Sequence, residues 1–159
     1  MYVVYPPDLV TIDTDYPTVF LAGSIEMGAA EEWQQRIVDC PNISRFPVTI
    51  LNPRRKDWDN SWKQDPEFKP FREQVEWELA GIEAADIVFF YFDPKTKAPI
   101  SLMELGLALG KGKKVVVCCP KEFYRWANVK ITCEDEWAEI YENFDVALMR
   151  LGSLIHDRF

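Results

Sequence analysis

Ile87-Val88-Phe89-Phe90-Tyr91-Phe92 and, after a helical pattern from Ser101 to Lys111, Val115-Val116-Val117-Cys118-Cys119 decide the fold. Each run is almost continuously apolar, too short for a buried helix and rich in β-branched and aromatic residues, so each reads as a strand. Strands apolar on both faces belong in a parallel sheet covered by helices above and below. Between the two runs, Gly110-Lys111-Gly112-Lys113 is a glycine and lysine stop signal for the helix.

Working outward, similar runs occur at Val19 to Ala22 and Val48 to Leu51, with a shorter one at Val129 to Cys133. Helical patterns are expected near Ala29 to Cys40, Pro70 to Ala85, and Asp135 to Leu151. In the second, Phe71, Val75, Leu79 and Ile82 form a stripe that predicts the core-facing side, with Gln74 and Glu78 on another face. Alternating strands and helices of this kind imply right-handed crossovers and a doubly wound α/β sandwich with five parallel strands. At 159 residues the chain is expected to form one domain spanning 1–159.

Composition narrows the function classes. A net charge of -8 disfavours partners held by their polyanionic backbones, so nucleic-acid polymers and anionic membranes are not expected. No apolar run is long enough to span a bilayer and the N-terminus lacks the features of a signal peptide, which predicts a cytoplasmic protein. Cys40, Cys118, Cys119 and Cys133 contain no C-x-x-C pair and read as reduced structural thiols. With His156 as the single histidine, three residues from the end, acid–base chemistry falls to carboxylates.

Among these carboxylates Glu104 stands out as the only charge between Pro99 and Leu109. Ser101-x-x-Glu104 is the pattern of a capping box, which would satisfy backbone N–H groups at a helix start. The same placement, with the helix dipole keeping Glu104 ionised, suits a nucleophile. Ligands of open α/β sheets sit beyond the carboxyl ends of the strands, which gathers Gly23, Ser24, Ile25, Asn52, Asp93 and Glu104 on one edge. Gly23-Ser24 followed by Gly28 lets backbone N–H groups approach a ligand, although neither a dinucleotide fingerprint nor a Walker loop is present. Between Asn52 and Lys69 lies a long insertion carrying Arg54, Arg55 and Trp58-Asp59-Asn60-Ser61-Trp62; it reads either as an active-site lid or as a loop packed on the domain, and its arginines suit an anionic ligand.

In order along the chain, Phe20-Leu21-Ala22-Gly23-Ser24-Ile25, Glu83-Ala84-Ala85-Asp86-Ile87-Val88, Met103-Glu104-Leu105-Gly106 and Asn128-Val129 resemble nucleoside 2-deoxyribosyltransferases over about residues 18 to 133. The resemblance is nearest to the branch carrying Asn52-Pro53-Arg54-Arg55, Gln74-Val75-Glu76-Trp77-Glu78 and Arg125-x-x-Asn128-Val129. It implies a flavodoxin-like or Rossmann-like three-layer sandwich with a five-stranded parallel sheet. It also implies an enzyme that needs no cofactor or metal, in which Glu104 attacks C1′ of a deoxyribonucleoside and the sugar passes from a glycosyl ester to another base or to water. Asp86 would recognise or protonate the base, Asn128 would hold sugar hydroxyls, often across a subunit boundary, and Ser24 with Ile25 would line the sugar or a phosphate. The partners implied are a nucleoside or nucleotide, a free base and a second copy of the chain in a homo-oligomer.

Two departures qualify the resemblance. The transferases carry an aspartate six residues before the nucleophile, where this chain has Ala98, so Asp93 is the candidate substitute. They also orient the glutamate with a tyrosine near the first strand, where this chain has Phe20 and Ile25; Tyr91 or the Trp58 to Trp62 loop is the candidate replacement. Three functions follow: deoxyribosyl transfer, hydrolysis of nucleoside 5′-monophosphates at the N-glycosidic bond, and a nucleotide-binding module without turnover. The residues that could protonate the departing base are Glu76, Glu78 and Asp86.

Overall fold

The computed structural model describes all residues except Thr11, Thr14, 26–29, Asn60, Arg158 and Phe159. Gly28, Ala29 and Asn60, which entered the sequence reading above, therefore lie outside the described residues.

Six parallel strands form one sheet: β1 (Tyr2–Val4), β2 (Thr18–Gly23), β3 (Thr49–Leu51), β4 (Ile87–Tyr91), β5 (Lys114–Cys118) and β6 (Glu139–Tyr141). Their spatial order is β1-β3-β2-β4-β5-β6. From β2 onward this is the flavodoxin-like order, with β1 added as an outer strand beside β3. Among the described residues six helices accompany them: α1 (Trp33–Val38), α2 (Pro41–Ser44), α3 (Lys69–Ala84), α4 (Pro99–Gly110), α5 (Trp126–Asp135) and α6 (Phe144–His156).

Strand alternation sorts the core into two layers. Phe20, Val88, Phe90, Val115 and Val117 point to the side covered by α3, α4 and α5. Val19, Leu21, Phe89, Tyr91 and Val116 point to the side covered by α1, α2 and α6. The expected stop of α4 is realised: the helix ends at Gly110, Gly112 takes φ +67°, and the Lys113 N–H returns to the Ala108 carbonyl at 3.0 Å.

The sheet has six strands where five were expected, and not all the expected ones are among them. Val129 to Cys133 lies in helix α5 rather than in a strand: Val129 and Cys133, four residues apart, are buried on one helical face, while Ile131 is exposed. The last helix begins at Phe144, not Asp135, because β6 occupies 139–141, where Glu139 is held by Lys114 and Arg150. Helix α3 keeps the expected stripe only in part, with Ile82 buried and Phe71 and Val75 half-buried, and its inward face is shifted toward Gln74 and Trp77. Gln74, Trp77, Gly81 and Ile82 are buried, whereas Leu79 is exposed.

Candidate active site

The reversal of strand order falls between β2 and β4, and the carboxyl ends of these strands are tied together. Gly23 ends β2 at φ +140°, with no room for a side chain: a Cβ there would lie 2.2 Å from the Tyr91 carbonyl oxygen. That close approach lets the Ser24 N–H donate to the same carbonyl at 2.9 Å. The Ser24 hydroxyl is fully buried; it accepts the Asp93 N–H at 2.9 Å and lies 2.6 Å from the Thr96 hydroxyl. Asp93 in turn accepts the N–H groups of Lys95 and Glu31 on its two carboxylate oxygens, so both oxygens brace the loop. Half-buried Ile25 follows Ser24.

Asn52, at the end of β3, accepts the Arg54 N–H on its side-chain oxygen, and Arg54 Nη1 donates to Gln34 Oε1 at 3.2 Å. Arg55 is committed elsewhere. Its guanidinium pairs with Asp57 and Glu73 and stacks over the Trp62 ring. Trp62 also packs on Trp58 and Phe68, so the aromatic residues of the insertion cluster with one another.

Helix α4 starts differently from the capping-box expectation. Ala98 takes the N-cap position in a left-handed conformation with no side-chain cap, and Pro99 opens the helix. Ser101 and Glu104 therefore stand inside the helix, and Glu104 caps nothing. Glu104 is only 7% exposed and lies on the α3 side of the sheet. Burial, with the nearby charge of Glu78, raises its pKa to about 8, which corrects the expectation that the helix dipole holds it ionised. Glu78 is pushed up to about 7 by burial, against the pull of a hydrogen bond from Gln74.

Gln74 fixes this second carboxyl. Its Nε2 donates to Glu78 Oε1 at 2.8 Å and to the Pro53 carbonyl at 3.0 Å. A carbonyl can only accept, so the amide orientation is set and Gln74 Oε1 remains a buried acceptor without a partner among the described residues. Glu104, buried, and Glu78, half-buried, are thus both raised toward neutral pH, in each case above all by desolvation.

The structure thus places Gly23, Ser24, Ile25 and Asp93 at the ends of β2 and β4, Asn52 and Arg54 at the end of β3, and Glu104 of α4 within electrostatic reach of Glu78 of α3. Asp86 is not brought there. It precedes β4 at the opposite edge of the sheet, where its carboxylate accepts the Thr18 N–H at 2.8 Å. Asn128 is exposed on α5. Tyr91 faces the α1 and α6 layer, edge-on to Trp33 and Phe144, and so points away from the α4 side that carries Glu104. Gln34 and Thr96 were missed by the sequence reading, which gave Gln74 no role of its own although it stands four residues before Glu78 and opens the motif Gln74-Val75-Glu76-Trp77-Glu78. Among the described residues, no group of three or more His, Cys, Asp or Glu side chains could hold a metal ion.

Fold and site together define a flavodoxin-like α/β protein with a buried carboxyl on α4, Glu104, that feels the charge of a half-buried one on α3, Glu78. Residues 16–123 match the family described as nucleoside 2-deoxyribosyltransferase like, and the chain belongs to that family. A solved structure, described as a conserved protein from Enterococcus faecalis V583, shares the fold at a TM-score of 0.57. It is 16% identical, and the match covers 91% of this chain and 99% of that one. No curated protein matches the chain significantly.

Proposed function

We propose that this protein cleaves the N-glycosidic bond of a deoxyribonucleoside through Glu104 and passes the deoxyribosyl group to a second base. The observation that carries the reading is the neighbourhood of Glu104 and Glu78: one buried and one half-buried carboxyl, both raised toward neutral pH, with Gln74 orienting the second. Retaining glycosidases divide nucleophile and acid between two such groups.

Before substrate binds, the Gln74 hydrogen bond favours the charge on Glu78, and the deeper burial of Glu104 favours the proton there. Chemistry requires the reverse. As positive charge develops at C1′, the ionised form of Glu104 is favoured and the proton moves to Glu78. The Glu104 carboxylate then forms a bond to C1′ as the C1′–N bond breaks. The bonding pair leaves with the base, which takes the proton from Glu78. In the second half, the incoming base or water loses a proton to Glu78 as it displaces the ester from C1′, which frees the Glu104 carboxylate.

Asn128, exposed on α5, would serve a neighbouring copy in a homo-oligomer. The outer face of α4, with Ile100 and Met103 exposed, is a surface such a copy would cover. Support for the substrate class comes from the family and from the carboxyl pair.

The test is incubation with deoxyribonucleosides and their 5′-monophosphates, with and without a second free base, following base release by chromatography alongside Glu104→Ala. Release abolished in the variant and exchange into the added base are the expected results. Release without exchange identifies water as the acceptor. Nucleotide binding with no release from any substrate leaves a binding module instead.

A further inference from the structure

One buried atom at the site has no part in the reaction proposed above. Gln74 is 5% exposed, and its Oε1 accepts nothing from the described residues. The amide cannot turn over, because both Nε2 hydrogens are placed: one on the Pro53 carbonyl at 3.0 Å, the other on Glu78 Oε1 at 2.8 Å. Helix α3 therefore offers Glu78 an N–H that is in use and, on the same amide, a C=O that is not. An oxygen so enclosed takes its donor from a group already against the amide.

Glu78 is such a donor in one charge state alone. Ionised, it only accepts, and the bond from Nε2 is all it takes from the described residues. Protonated, it carries an O–H, and since Oε1 receives the Nε2 bond the proton belongs on Oε2. The two oxygens of a carboxyl are spaced much as the N and O of an amide are, so an acid and an amide close a ring of two opposed hydrogen bonds. In that ring Gln74 Oε1 gains the donor it lacks. The surrounding charges leave the place open: Glu104 faces Glu78 from α4, Glu73 on α3 pairs with Arg55, and no cation pairs with Glu78 among the described residues.

We propose that Gln74 is a positioning residue for the proton of the leaving base: its Oε1 receives the Oε2–H of protonated Glu78 and holds that proton until the base takes it. The amide then serves Glu78 in both states, with one bond for the carboxylate and two for the acid. The proton leaves Glu104 for Glu78 Oε2, which frees the Glu104 carboxylate for C1′. As the C1′–N bond breaks, the O–H swings from Gln74 to the base nitrogen, and Glu78 returns to its single bond from Nε2. Pro53, at the root of the insertion, keeps the amide from following. The role in turnover rests on the N-glycosidic reading; the acid–amide pairing does not.

The experiment is NMR of the full chain labelled with carbon-13 in its glutamine and glutamate side chains. Gln74 Cδ and Glu78 Cδ are followed from about pH 5 to 9, with Glu104→Gln as the background so that Glu78 titrates without its neighbour. The expected result is that Gln74 Cδ moves downfield as Glu78 gains its proton, with the same midpoint, and that Glu78→Gln abolishes the movement. In turnover, Gln74→Met, of similar size, should lower kcat about 10- to 100-fold with KM within about threefold. The titration is read on the native Gln74 side chain, so it decides even where Gln74→Met does not fold. A Gln74 Cδ that stays flat while Glu78 titrates, as it would with a buried water on Oε1, overturns the proposal, and so does an unchanged kcat in a folded Gln74→Met. A shared midpoint with no base release from any nucleoside would sink the N-glycosidic reading and leave the pairing standing. Base release with a flat Gln74 signal would do the opposite.

Discussion

Gln74 donates its side-chain amide to Oε1 of Glu78 at 2.8 Å, one turn further along α3, and so partly offsets the burial that raises the carboxyl whose charge acts on Glu104. Burial raises both carboxyls toward neutral pH, and the proposed reaction needs Glu104 as the ionised member of the two.

The pH dependence follows from that pair. Turnover needs one proton shared by the two carboxyls, so kcat/KM should rise as pH climbs toward about 7, peak between about 7 and 8, and fall above about 8. Glu78→Gln, which cannot shuttle a proton, should lower kcat/KM by about 10^2- to 10^4-fold and remove the falling limb due to loss of the acid. Initial rates across pH 5 to 10 for both proteins check this; an unchanged profile in the variant would remove Glu78 from the mechanism.

Stability should carry the same signature. Glu104 binds its proton more tightly folded, with a pKa of about 8, than unfolded, near 4.5. Between those values the unfolded chain releases a proton that the folded chain keeps, so stability falls as pH rises through this window. Glu104→Gln removes that penalty. The variant should match the parent within ~1 kcal/mol at pH 5 and exceed it by ~2–4 kcal/mol at pH 9, measured by denaturant unfolding.

Asp86 should be a folding residue. Its carboxylate accepts the Thr18 N–H and its own N–H donates to the Thr18 carbonyl, which fastens the start of β4 to the start of β2. Asp86→Ala should cost ~1–3 kcal/mol of stability while kcat/KM at a temperature well below the melting point stays within about threefold. A stable variant with abolished base release would return Asp86 to the chemistry.

How much of this was legible in the sequence depended on burial. The four long apolar runs became β2 to β5 because strands covered on both faces need apolar residues at every position. The outer strands did not announce themselves: Tyr2–Val4 and Glu139–Tyr141 are three residues each, and the latter is half-buried throughout. Val129 to Cys133 misled because β-branched residues suit strands, whereas the helical spacing of Val129 and Cys133 decides their packing. In the site, Glu104 was conspicuous as a lone charge in an apolar helix. Glu78 was harder to choose, since a polar pair at i, i+4 reads equally as a solvated face, and only the packing of α3 against the sheet turns it inward. Asp86 drew attention through its motif, but its position at the head of a strand places it on the far edge.

The most direct measurement is mass spectrometry of the intact and digested protein after reaction with a 2′-fluoro-arabinonucleoside, whose electron-withdrawing fluorine slows loss of the sugar from a glycosyl ester. The account predicts a mass increase of one fluorosugar residue, located on the peptide containing Glu104, with release of the free base and no adduct in Glu104→Gln. Base release with no adduct, or an adduct on another residue, would contradict it.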